Sequence, residues 1–185
     1  MTTFEKGGAQ NTEETCRIAL EHAAALETDI VCATTSGDSA ITLCRLAKEC
    51  GFPGHIVVVS HAYGSKEPGE NELSDEKRKS LEESGAVVLS TTHVLSGAER
   101  GFSEVFRGVM PVEIVAHTLR MFSAGVKVAV EIAVMALDAG LVPYGKRIVC
   151  LGGSHSGLDT AVVLTPSHAN RILKTRIHEI LCKPD

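Results

Sequence analysis

The segment Thr34-Thr35-Ser36-Gly37-Asp38-Ser39-Ala40 concentrates hydroxyls, a glycine and a carboxylate in one short turn. It follows the apolar run Ile30-Val31-Cys32-Ala33 and precedes Ile41, Leu43, Cys44, Leu46 and Ala47, which fall on one face of a helix. A strand, a turn and a helix start in that order leave unpaired N–H groups at the positive end of the helix dipole, an arrangement suited to a phosphate. The expected donors are the hydroxyls of Thr35, Ser36 and Ser39 and the N–H groups of Gly37 and Asp38. The same residues also suit a plain helix start with Asp38 as its N-cap.

Three other segments fall where strands are expected to end. One begins at His61, a second is Ser96-Gly97-Ala98-Glu99-Arg100, and the third is Gly152-Gly153-Ser154-His155-Ser156-Gly157, followed by Asp159. Arg100 is the cation best placed to meet a phosphate, although pairing with Glu99 or Glu104 is the ordinary fate of such a residue. The glycines Gly152 and Gly153, with Ser154, let backbone approach a ligand closely, or serve only the turn. Asp159 is either a ligand contact or a cap before Thr160, and His61 either a contact or a strand-end histidine.

Several chemistries lack their residues. Ser36 has no G-x-S-x-G elbow, no G-K-[ST] follows Gly37, and no G-x-G-x-x-G occurs. The cysteines Cys16, Cys32, Cys44, Cys50, Cys150 and Cys182 show no metal-ligand spacing, so reduced thiols and no metal site are expected. A mononucleotide or sugar phosphate, held through one phosphate, fits what remains.

With 185 residues, 44% hydrophobic and 22% charged, the chain reads as a single folded domain spanning residues 1–185. A net charge of −5 and an aromatic content of 4% without tryptophan argue against a nucleic-acid surface. Met1–Gln10 has no apolar signal core, and no apolar run reaches bilayer length. A soluble cytoplasmic protein with no membrane partner is expected.

These loops need a frame to hold them together. Helices are expected from Asn11 or Thr12 to Ala25 and over Asp38–Cys50, Ser74–Ser84, Pro111–Phe122 and Val126–Ala139. Strands are expected near Asp29–Ala33, Ile56–Ser60, Ala86–Leu89, Arg147–Leu151 and Thr160–Leu164. Continuous apolar strands between amphipathic helices indicate an α/β three-layer sandwich with a mainly parallel sheet. The fifth strand follows the fourth too closely for a parallel crossover and should run antiparallel. Ligands of such sheets sit outside the carboxyl ends of the strands, where strand order reverses. The apolar load of Pro111–Gly140 points to a homo-oligomer.

Thr34-Thr35-Ser36-Gly37-Asp38-Ser39-Ala40 resembles the T-x-S-G-x-[TS]-A loop of the pyruvate kinase C-terminal domain, where that loop holds a phosphate of the allosteric effector. Asn11-Thr12-Glu13-Glu14-Thr15, Leu95 through Arg100, Val130 through Ala136, and Gly152-Gly153 through Asp159-Thr160-Ala161-Val162-Val163 are together similar to a family of small stand-alone proteins of that fold. The resemblance runs from about Phe4 to Pro184 and implies a five-stranded sheet in the order 3-2-1-4-5, last strand antiparallel, with helices on both faces. It implies FMN as ligand, and no pyruvate kinase activity, since that enzyme's catalytic barrel alone takes roughly 250 residues. Two functions stay open: a module binding FMN or a related phosphorylated small molecule, and an enzyme, either a flavin-dependent oxidoreductase or one acting on a phosphorylated metabolite.

Overall fold

Four apolar runs make the centre of the sheet. In the computed structural model, which describes Met1–Asp185, they are β2 (Ile30–Ala33), β3 (Ile56–Ser60), β5 (Ile148–Gly152) and β6 (Thr160–Thr165). Side chains alternate between faces along each strand. Ile30, Cys32, Val58, Val149, Leu151 and Val163 enter one core, and Val31, Val57, Val59, Ile148, Cys150 and Val162 the other. Burial on both faces is why these strands read as unbroken apolar runs.

The first core is covered by α1 (Thr12–Ala25), α2 (Asp38–Cys50) and α3 (Asp75–Glu83), which contribute Cys16, Ala19, Leu43 and Leu81. The second is covered by α5 (Pro111–Arg120) and α6 (Ala124–Asp138). Helix α6 is apolar almost all round, and it is buried on nearly every side between the sheet and α5. Most of the apolar load of Pro111–Gly140 is thereby internal: Val126, Val130, Ile132 and Val134 are buried, whereas Ile114, Met121 and Phe122 remain exposed. No helix is long and apolar enough to cross a membrane.

The sheet has seven strands in the order β1-β7-β6-β5-β2-β3-β4. Strand β4 (Val87–Ser90) completes the expected 3-2-1-4-5 core, and β6 runs antiparallel to β5 as its short connection requires. The expected count of five is corrected by two strands at one edge. Strand β7 (Arg176–Pro184) pairs antiparallel with β6, and β1 (Thr2–Phe4) pairs parallel with β7. The first half of β7 is exposed and carries Arg176, His178 and Glu179, so backbone pairing, rather than an apolar run, defines it.

A further helix, α4 (Ala98–Phe106), begins inside Ser96–Arg100, a segment expected to be a loop. The start of α2 also differs from expectation: Gly37 is the N-cap, with φ of 95°, and Asp38 is the first helical residue. A φ of that sign favours glycine, so the turn depends on Gly37 rather than on a side-chain cap.

Candidate ligand-binding cleft

Strand order reverses between β2 and β5, which pair in parallel with Cys32 opposite Leu151. Past their carboxyl ends lies a cleft of about 970 Å³. Its position is the one that open α/β sheets use for ligands, and its size is at the upper end for small-molecule sites. The Thr34–Ser39 turn and the Gly153–Gly157 turn form two of its walls, and Ala9–Glu13, α6, the end of β3 with His61, and His93 contribute most of the rest.

In the first turn, the N–H groups of Thr35, Ser36, Asp38 and Ser39 donate to no protein group. That of Gly37, expected to face a ligand, is instead taken by Thr34 Oγ1 at 3.1 Å. Thr34 Oγ1 also shares a hydrogen bond with Ser39 Oγ, while Ser36 Oγ donates to Asp38 Oδ2 at 2.7 Å. The Asp38 charge is met by Lys77 Nζ at 2.6 Å, outside the cleft lining. Lys77, together with the Ser36 hydroxyl, holds the Asp38 carboxyl below its usual range. The one carboxylate of the turn is thus engaged, and the N-terminus of α2 keeps its positive end open.

The second turn is fixed from behind. Asp159, fully buried, accepts the N–H of Gly8 at 3.0 Å and of Ser154 at 3.1 Å through Oδ2, and the hydroxyl of Thr160 through Oδ1. It is a positioning residue and not part of the lining. Gly152 likewise lies behind the wall: a Cβ there would run into the carbonyl oxygen of Gly125 on α6, so both glycines permit a close approach of helix to strand.

Of the residues expected to contact a ligand, Thr35, Ser36, Asp38, Ser39, His61, Gly153 and Ser154 line the cleft. His61 Nδ1 pairs with Glu72 at 2.7 Å, and its ring meets that of His93 edge to face at 5.3 Å. Arg100 and Gly97 lie elsewhere. The helix α4 carries Arg100 outward, where its side chain is 66% exposed and its Nε meets Glu104 at 3.1 Å. Gly97 packs on the His93 carbonyl as the N-cap of α4. Ser96 is outside the lining but hydrogen-bonds to residues that belong to it.

Those residues, Lys127 and Glu131, escaped the sequence reading, as did His93, Ser60, Gln10 and Glu13. Lys127 Nζ pairs with Glu131 Oε2, and Glu131 Oε1 accepts from Leu95 N at 2.9 Å and Ser96 Oγ at 3.1 Å. Burial pushes the Lys127 ammonium down from its ordinary pKa, with Glu131 opposing the shift. Burial likewise lowers His93, against the pull of Glu131. A signal for the pair exists: Lys127 and Glu131 are the only charged residues in the apolar run Gly125–Leu137, and they are one helical turn apart.

The profile of the family described as "Pyruvate kinase, alpha/beta domain" matches residues 13–164. The chain belongs to that family. The match spans α1 through most of β6, so strands β1 and β7 fall outside it.

Proposed function

We propose that this member of the pyruvate kinase α/β-domain family binds a phosphorylated small molecule in the cleft, with FMN as the ligand. The observation that carries the reading is the open N-terminus of α2. Four backbone N–H groups there lack protein acceptors, and residues bearing them line a cleft large enough for a nucleotide-sized molecule. Val128, Ile132 and Met135, on one face of α6, offer an apolar strip for a ring on the opposite wall. Backbone N–H groups at a helix N-terminus can hold a phosphate without a neighbouring arginine.

A titration of FMN against riboflavin tests this directly, because the two differ by the phosphate alone. FMN should bind at least tenfold more tightly, and the double substitution Ser36→Ala, Ser39→Ala should remove about 1–3 kcal/mol from FMN while sparing riboflavin. Equal affinities in the unaltered protein overturn the reading. Catalysis in the same cleft is the second reading, favoured by His61, His93, Lys127 and Glu131 all lining it. Consumption of NAD(P)H by the flavin-loaded protein supports it, and a bound flavin that no NAD(P)H reduces speaks for a binding module.

A further inference from the structure

Lys127 is the only lysine or arginine among the residues that line the cleft. Its side chain is 6% exposed, yet its ammonium has just two protein partners, Glu131 Oε2 and, at 3.4 Å, Ser96 Oγ. An ammonium carries three N–H donors, so one is left over. Glu131 is held by Leu95 N and Ser96 Oγ on its other oxygen, which fixes the carboxylate and through it the lysine. An ion pair buried this deeply is a poor source of stability, since desolvation offsets its Coulomb attraction. Stability alone therefore gives no reason to keep a cation here.

The surroundings say what would meet it. Val128, Ile132 and Met135 follow one another at helical spacing of four and three residues and form an apolar strip that faces the cleft. Lys127 and Glu131 flank that strip one position away. A flat ring lying on the aliphatic strip would present its edge to the ammonium.

We propose that Lys127 is the donor that recognises the ring of the bound molecule, through an acceptor-rich edge of the carbonyl and imide type, while the α2 N-terminus holds the phosphate. In a flavin that edge is the pyrimidine ring. The assignment rests on the cleft being the ligand site proposed above and adds the group that selects the ring. Glu131 and Ser96 are positioning residues that aim the ammonium.

The experiment measures FMN and riboflavin binding to the full chain, unaltered and with Lys127→Met combined with Glu131→Gln, which removes the pair without leaving a lone buried charge. Melting temperature checks that the double variant is folded, and Lys127→Arg serves as the conservative variant. Both probes should lose tenfold or more in the double variant, by the same factor, and Lys127→Arg should recover most of it. The reduction potential of bound FMN should also fall in the double variant, because a nearby cation stabilises the charge that reduction places on the pyrimidine edge. Loss confined to FMN would assign Lys127 to the phosphate and overturn the proposal, as would unchanged affinity for both. Equal binding of FMN and riboflavin by the unaltered protein removes the phosphate assignment alone. A chain that binds neither flavin overturns both.

Discussion

The Asp159 carboxylate accepts the backbone N–H of Gly8 at 3.0 Å, a bond across 151 positions of sequence that joins the N-terminal segment to the turn after β5. The same oxygen holds Ser154 N, so a buried charge fixes two walls of the cleft at once. Replacing Asp159 by Ala strands three donors, those of Gly8, Ser154 and Thr160. Unsatisfied buried groups cost about 1–3 kcal/mol each and do not add fully, so a total loss of about 3–5 kcal/mol is expected. Asp159→Asn, which keeps one acceptor oxygen, should lose less. Chemical denaturation measures both, and faster hydrogen exchange at Gly8 and Ser154 should accompany the loss.

Arg100→Ala should leave FMN and riboflavin binding within twofold. The guanidinium is mostly exposed, and its bond to Glu104 is a surface i,i+4 pair of about 0.3–0.5 kcal/mol. Isothermal titration of the variant decides the matter. A larger loss for FMN than for riboflavin would return Arg100 to the phosphate, where the loop reading of Ser96–Arg100 had put it.

The contrast between Arg100 and Lys127 shows what was legible in the sequence. Strands β2, β3, β5 and β6 are buried on both faces, so each declares itself as an apolar run, and the Thr34–Ser39 turn is bracketed by a strand and a helix that are equally plain. Helix α4 is not plain: Gly101 interrupts it, and Phe102, Val105 and Phe106 on it are exposed, so no packing partner marks its apolar face. Reading that segment as loop left Arg100 free to turn inward. Lys127 was missed for the opposite reason: a charged pair inside an apolar helix stands out in the sequence, but what it faces is clear only once the cleft above it is known. His93 follows β4 in an irregular segment and carries no local pattern at all.

Thiol reactivity should separate the cysteines cleanly. Cys50 is exposed, while Cys16, Cys32, Cys44, Cys150 and Cys182 are buried and unpaired. Burial raises the Cys16 thiol from its ordinary 9.0 to about 12, and it pushes Cys32 and Cys150 up as well. A thiol whose folded pKa is raised contributes stability that is complete below pH 9 and is lost as pH climbs toward 12. Reaction with a disulfide reagent at neutral pH should therefore stop at one thiol per chain and reach six only in denaturant. Melting temperature should fall progressively above pH 9. Rapid reaction of a second thiol in the folded protein would contradict the burial of these side chains.

Gly153→Val should weaken FMN and riboflavin by the same factor, tenfold or more. A Cβ at Gly153 would occupy the place of the Gly157 carbonyl oxygen, a backbone atom within the same turn, so the turn must open to admit any side chain. That turn lies beside the Thr34–Ser39 turn because β5 and β2 are neighbours, and it lines the cleft without contributing a cation. Deforming it changes the shape of the wall for both molecules, whereas the loss of hydroxyls at Ser36 and Ser39 separates them by their phosphate. Gly101→Ala is the control: nothing lies near its Cβ position, so neither affinity should change, and an alanine inside α4 should leave the melting temperature the same or slightly raised. If Gly153→Val melts like the unaltered protein and binds both flavins as well, the turn tolerates a side chain and is no wall of the ligand site. A loss confined to FMN would move the phosphate from the α2 N-terminus to the Gly153–Gly157 turn.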